Sequence, residues 1–317
     1  MSPRLIMKMR VADIRDVASD VREFTLRHAT RTTLPPPEPG AHVDVRLPDG
    51  KVRQYSLCGD PDDASQYVIA VKREPEGRGG SVWMHDTIKQ GDTIQVSAPR
   101  NHFELVDGAA RYVLIAGGIG ITPMLPMVRR LQMRGADYIL HYCSSAATPP
   151  FSDLLREICG PRAQIYSTAP SASTPRRLDI PAALSEVVPL MHVYCCGPIR
   201  LMEAVREAGA HWPEEQLHFE AFKPLVDENF VPQTFDLVLN SSGQRLHVPA
   251  EKSALDVLRD AGVSASSSCE TGVCGSCACG YMSGDVIHRD AFLSPSARKS
   301  RLTLCVSRGT GTIVLDL

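Results

Sequence analysis

Four cysteines, Cys269, Cys274, Cys277 and Cys279, fall within eleven consecutive positions, and a fifth, Cys305, stands far downstream. Cys269-x4-Cys274-x2-Cys277, completed by Cys305 after 27 intervening residues, is the spacing of a plant-type 2Fe-2S loop. Three thiolates wrap two irons there, and a distant strand brings the fourth. Such wrapping needs tight turns, which Gly272, Gly275 and the small serines beside them supply. Structural zinc more often takes two CxxC pairs or a mixture of Cys and His, and a single CxxC is present here. The expected ligands are therefore Cys269, Cys274, Cys277 and Cys305. Cys279 falls outside the set and reads as a small buried residue beside the loop.

The 317 residues are enough for two or three domains, each with its own core. A net charge of -2, with both signs mixed along the chain, suggests neither nucleic acid nor an anionic membrane as partner. The longest apolar runs, such as "YVLIAGGIGITPMLPMV", are broken by glycine and proline, so no membrane span is expected. The first residues gain charge every few positions and lack a secretory apolar core. Ten cysteines in that context point to thiols, metal ligands or catalysis rather than disulfides. A cytoplasmic monomer is the expectation.

From Met7 to about Val106 short alternating strands follow one another, among them "REFTLRH", "HVDVRL", "RQYSLC", "QYVIAVKR" and "DTIQVSAP". In "HVDVRL" the alternation puts Val43, Val45 and Leu47 on one face. This spacing predicts an antiparallel β-barrel over residues 1–106. After Asp107 strand-like and helical runs alternate: "RYVLIAG" then "MLPMVRRLQMRG", "YILHYC" then "FSDLLREICG", "AQIYSTA" then "PAALSEVV", "HVYCCG" then "IRLMEAVREAG". That alternation predicts an α/β domain with a parallel sheet over 107–223. A polar linker over 224–233 leads to a small α+β domain over 234–317. It begins with the pair "FDLVLN" and "RLHVPA", continues with a helix capped by Ser253 and Asp256 and stopped by Gly262, and closes with "LTLCVS" and "TIVLDL".

Two glycine-rich turns and one Cys-Gly-Pro turn invite ligands. In "GGIGITPM" (Gly117, Gly118, Gly120, Thr122) glycines follow a buried strand, and Thr122 with Pro123 reads as an N-cap and N1 pair whose free N–H groups suit a phosphate or flavin edge. A tight strand-to-helix turn is the bland alternative. "GRGGSVW" opens a second helix, with Arg78 and Ser81 suited to a phosphate. "YCCGP" sets Cys195 and Cys196 at a strand end, where open α/β sheets bind ligands.

The order of these parts resembles the phthalate dioxygenase reductase and vanillate demethylase reductase family along the whole chain. The motifs carrying it are "RQYSL", "VKREPEGRGGS", "AGGIGITPM", "YCCGP", "HFEAF" and "CETGVCGSC". The resemblance implies FMN, with Arg53, Tyr55 and Ser56 along its ring and ribityl chain, Val71, Lys72 and Arg73 nearby, and Arg78, Gly79, Gly80 and Ser81 at its phosphate. FMN rather than FAD rests on the resemblance alone. It also implies Cys196, Gly197 and Pro198 at the nicotinamide, and Glu220 and Phe222 closing the nucleotide domain with the aromatic against the flavin. Taken singly, Arg53 and Lys72 read better as solvated strand residues and Tyr55 as core, and only together and in this order do they favour the flavin; Phe222 as ordinary core is the competing reading. One departure is visible: Ser144 and Ser145 stand where relatives often carry an arginine. A 2′-phosphate would go unpaired there, so NADH is expected over NADPH.

Together the three parts imply electron transfer. NADH surrenders two electrons as a hydride, a 2Fe-2S cluster takes one at a time, and a flavin converts between them. The expected activity is an NADH-dependent oxidoreductase supplying a terminal Rieske-type oxygenase that acts on an aromatic compound. A haem monooxygenase as acceptor, or a redox-sensing iron–sulfur protein, are the alternatives.

Overall fold

The computed structural model describes residues 5–172, 174–225, 227 and 229–317, and these divide into two compact units, Met1–Phe219 and Glu220–Leu317. Val226 and Glu228 of the expected linker lie outside the described residues.

The first unit opens with strands β1 (Ile6–Ala18), β2 (Val21–His28), β3 (Ala41–Arg46), β4 (Val52–Ser56) and β5 (Tyr67–Lys72), then helix α1 (Gly80–Asp86), β6 (Thr93–Ser97) and the short β7 (Arg100–Asn101). The strands run in the order β4-β3-β6-β1-β2-β5, with β7 beside β3. All the registers are antiparallel. A bridge between Leu57 and Ile69 joins the two ends of that order and rolls the sheet into a barrel. Alternation along β1 buries Met7, Met9 and Val11, which pack with Phe24, Val43, Ile69, Met84 and Val96 inside. On β3 the alternating pattern fails. His42 and Asp44, on the face opposite Val43 and Val45, are buried too, because Arg100 and Gln54 donate to the Asp44 carboxylate and the Ser97 hydroxyl accepts from the Asp44 N–H.

The unit continues with β8 (Arg111–Gly117), α2 (Met124–Met133), β9 (Tyr138–Ser144), α3 (Ser152–Cys159), β10 (Ala163–Ser167), α4 (Ile180–Ala183), β11 (Met191–Cys196), α5 (Ile199–Ala208) and β12 (Leu217–Glu220). Their order is β10-β9-β8-β11-β12, and the β10/β9, β9/β8 and β8/β11 registers are parallel. One apolar core joins this sheet to the barrel: Val21, Cys58, Ala70 and Phe103 pack with Leu114, Met127, Tyr142 and Tyr194. The Tyr194 hydroxyl accepts the Val106 N–H at 2.8 Å and donates to the Glu104 carbonyl at 3.1 Å, pinning the connecting segment.

The second unit holds β13 (Phe235–Leu239), β14 (Arg245–Val248), α6 (Ala254–Asp260), β15 (Ala278–Ile287), β16 (Arg301–Thr303) and β17 (Arg308–Leu315). Its mixed sheet runs β14-β13-β17-β15-β16. Leu237, Leu255, Leu258, Ile313 and Leu315 close its core. The expected cap is present: the Ser253 hydroxyl accepts the Asp256 N–H at 3.1 Å, and the Asp256 carboxylate accepts the Ser253 N–H at 3.1 Å. Gly262, at φ 72°, ends the helix, with its N–H on the Arg259 carbonyl at 2.9 Å. Ser253→Ala is expected to cost this unit about 1 kcal/mol, read from chemical unfolding of the purified protein.

Candidate functional site

In the second unit, Cys269, Cys274 and Cys277 are buried in the loop between α6 and β15, and Cys305 follows β16. The four thiols come together as two pairs. Cys277 and Cys305 have their sulfurs 3.2 Å apart. A hydrogen bond from the Cys274 thiol holds Cys269 down at about 5, and one from Cys305 lowers Cys277. Backbone N–H groups of Thr271 and Ser276 point at the sulfurs of Cys269 and Cys274, at 3.4 and 3.5 Å. Among the described residues no three His, Cys, Asp or Glu side chains converge on one ion position. Two thiol pairs fit a binuclear centre, in which each iron takes two protein sulfurs, better than a mononuclear one.

The loop closes as tightly as its glycines suggest. Gly272 and Gly275 take φ of 75° and 69°. A Cβ on Gly272 would meet Val306 at 2.6 Å, and one on Gly275 would meet the Phe292 ring at 2.3 Å. Glu270, at φ 55°, is a non-glycine residue in the same region, steadied by Arg259 of α6, which donates to its carboxylate at 2.6 Å. Cys279 is on β15, opposite Leu302 of β16, within the apolar core, and burial pushes its thiol up to about 11.

In the barrel, Arg53 and Tyr55 lie on one face of β4 and Gln54 and Ser56 on the other, because side chains alternate along a strand. Burial, and then the neighbouring Arg78, lower the Arg53 guanidinium. Burial raises the Tyr55 phenol, which therefore stays neutral. Arg53 donates to the Arg78 carbonyl and lies against Gly80, where a Cβ would come within 2.4 Å of its Cγ. Gly79, at φ 82°, has no atom within 4 Å of a Cβ position, so the turn before α1 is open to a ligand. Two cations beside an open turn suit a phosphate.

The remaining barrel residues hold that turn in place. The Ser81 hydroxyl accepts the Glu74 N–H at 3.0 Å, and the His85 ring hydrogen-bonds the Val71 carbonyl at 2.8 Å, tying α1 to β5. Lys72 pairs with Glu74 at 3.0 Å. Arg73 pairs with Asp86 through two bonds, at 2.7 and 3.1 Å, and lines a separate cavity of about 430 Å³ with Asp16 and Arg22.

In the α/β layer the strand order reverses between β8 and β11, since the chain steps from β8 outward through β9 to β10 and then returns to the other side for β11. Open α/β sheets bind ligands at the carboxyl ends of the strands flanking such a reversal. Gly117 and Gly118 stand at the end of β8, and Cys196, Gly197 and Pro198 at the end of β11. Three of the glycines fill one another's space. A Cβ on Gly120 would lie 2.2 Å from the Cys196 carbonyl oxygen, one on Gly197 2.9 Å from the Gly117 Cα, and one on Gly117 2.6 Å from Pro198. Gly118, at φ 55°, faces open space. Cys196 itself is fully buried.

The capping expectation for Thr122 is overturned. A tight helical turn over Gly118–Ile121 precedes α2, Thr122 already has helical angles (φ -58°, ψ -48°), and its hydroxyl donates back to the Ile119 carbonyl at 2.9 Å. The first exposed N–H groups therefore belong to the Gly118 turn. Ser144, at the end of β9, accepts the Ala146 N–H at 3.1 Å. Glu220 ends β12, where the division into units falls, and Phe222 beyond it is 36% exposed.

Two family profiles match the chain: an oxidoreductase FAD-binding domain over residues 8–105 and a 2Fe-2S iron-sulfur cluster binding domain over 237–309. Phthalate dioxygenase reductase of Burkholderia cepacia is 38% identical over 98% of this chain and 97% of its own. The chain belongs to the phthalate dioxygenase and vanillate demethylase reductase family. Within the family, the reductase subunit of tert-butanol monooxygenase / tert-amyl alcohol desaturase from Aquincola tertiaricarbonis is 41% identical over 96% of this chain and 90% of its own. The solved phthalate dioxygenase reductase superposes with a TM-score of 0.72 at 38% identity, covering 98% of each chain. An intact type IV self-sufficient cytochrome P450 monooxygenase superposes with a TM-score of 0.85 at 37% identity, and there the chain spans 41% of the larger protein. Like the rest of the family the chain is an oxidoreductase with a flavin-binding domain and a 2Fe-2S domain. No helix among the described residues is long and apolar enough to cross a membrane.

Proposed function

We propose that the chain takes hydride from NADH onto FMN and passes electrons singly through a 2Fe-2S cluster to a terminal oxygenase. The observation that carries this reading is the glycine crevice at the β8/β11 reversal, built on the same core as the flavin barrel. A flavin there supplies the conversion of a two-electron donor into single electrons. The protein's own work is orientation. Gly118 leaves room for the coenzyme backbone, and Cys196, Gly197 and Pro198 floor the nicotinamide. Arg78, Gly79, Gly80 and Ser81 take the FMN phosphate, with Arg53, Tyr55 and Ser56 along the ring and ribityl chain and Val71, Lys72 and Arg73 nearby. Gly117, Gly120 and Thr122 shape the crevice. Cys269 with Cys274, and Cys277 with Cys305, hold the irons, two thiolates to each. The domain limits that go with this reading are 1–106, 107–223 and 234–317.

A Rieske-type oxygenase acting on an aromatic compound is the acceptor favoured by the phthalate dioxygenase relatives. A haem monooxygenase is the second reading, favoured by the fused cytochrome P450. The test is spectral and kinetic. The purified protein should show overlapping flavin and iron–sulfur bands and release FMN on acid extraction. It should reduce cytochrome c with NADH at a kcat/KM at least tenfold that with NADPH, because Ser144 and Ser145 offer no cation to a 2′-phosphate. Released FAD, or equal use of NADPH, would overturn those parts. A colourless protein without NADH-driven reduction would overturn the whole.

A further inference from the structure

The segment from His288 to Arg298 folds back over the cysteine loop of the second unit, yet none of its residues is a ligand. Asp290 organises it from a fully buried position. Its Oδ2 accepts the N–H groups of Phe292 at 3.2 Å and Leu293 at 2.7 Å, and its carbonyl accepts Arg298 Nη2 at 2.7 Å. His288 Nδ1 lies 3.7 Å from Oδ1 on the other side. The strap so formed touches the loop twice. The Ala291 N–H donates to the Gly272 carbonyl at 3.0 Å, and the half-buried Phe292 ring occupies the space beside Gly275, where a Cβ would meet three ring carbons at 2.3, 2.4 and 2.6 Å. Gly275 adjoins Cys274 and stands two residues before Cys277, one thiol from each pair.

We infer that Phe292, held down by Asp290, is a positioning residue for the iron pair: its ring keeps water off the Cys274–Cys277 turn and so sets the cluster's potential and its resistance to attack. This rests on the reading that the four cysteines hold the irons. Reduction adds a negative charge to the centre. An apolar cover disfavours that charge relative to water, so solvent exposure is one of the factors that set iron–sulfur potentials. Removing the ring should move the potential in the positive direction and expose the sulfurs to chelators.

The test uses the full-length holoprotein. Phe292→Ala should raise the cluster's midpoint potential in an anaerobic titration followed by electron paramagnetic resonance. It should also bleach several-fold faster in the presence of a ferrous chelator, with flavin content and far-UV circular dichroism unchanged. Phe292→Leu, which restores apolar cover, should return both readouts most of the way to wild type. Asp290→Ala should behave as Phe292→Ala does, and Asp290→Asn, which keeps an oxygen for the two N–H groups, should recover the bleaching rate. Alanine variants that fail to load iron while the Leu and Asn variants load it also support the clamp. Four variants with wild-type potential and bleaching overturn it, as does equal impairment by the conservative and alanine changes. If wild-type protein lacks the paired-iron signal, the ligand reading fails instead.

Discussion

Replacing Cys274 with serine is expected to remove the bound iron and its visible absorbance, whereas Cys279→Ser keeps both. The two residues are five positions apart and both buried, but the fold separates their roles. Cys274 shares a hydrogen with Cys269 in the loop, and its loss leaves one iron a sulfur short. Cys279 is on β15 opposite Leu302, in the apolar core that also holds Leu304 and Leu315, and its thiol hydrogen-bonds the Gly280 carbonyl at 3.2 Å. A hydroxyl in that place costs about 1–3 kcal/mol of stability and no iron. Iron per polypeptide, measured on both variants, decides the matter, and the opposite pattern would reassign the ligands.

Gly120→Ala should be among the most damaging single-methyl changes in the first unit, costing about 3 kcal/mol or more. The added carbon would sit 2.2 Å from a backbone oxygen and 2.5 Å from its carbon, both in Cys196 at the end of β11, and neither can rotate away. Gly118→Ala, two residues earlier, meets nothing within 4 Å and pays only for its positive φ, about 1–2 kcal/mol. The pair therefore separates packing from binding. Thermal unfolding should fall by about 6–12 °C for Gly120→Ala, while Gly118→Ala melts much closer to wild type and raises the KM for NADH several-fold. Equal melting losses for the two would contradict the interlocked crevice.

Much of the architecture was legible in the sequence because local pattern and tertiary role agree. The alternation in "REFTLRH" is the strand β2, the run "IRLMEAVREAG" is α5, and Ser253 with Asp256 builds the cap it promised. The failures come where long-range contacts decide. Strand β15 went unseen because "ACGYMSGDVI" carries two glycines and no alternation. Its conformation comes from pairing with β17, with Gly284 at φ 117° in an irregular register. The helix expected in "PAALSEVV" shrinks to the four residues of α4. Thr122 looked like a cap because Thr-Pro opens many helices, but the preceding turn at Gly118–Ile121 has already begun this one. At the candidate site, the cysteine spacing singled out the four thiols that the fold gathers as two pairs. The work of His85, Arg259, Asp290 and Phe292 had no local signature, since each acts on a segment distant in the chain or across a loop.

The core that runs from Val21, Cys58, Ala70 and Phe103 into Leu114, Met127 and Tyr194 leaves no seam between barrel and sheet. A groove shared by two freely hinged bodies would have to be reassembled at every turnover, at a cost in ordering entropy. Here the same side chains that make each half stable also calibrate the spacing between the cradle at Gly79 and the cleft at Gly118. A substitution deep in that layer, far from any ligand, should therefore slow NADH-driven cytochrome c reduction as well as lower the melting point.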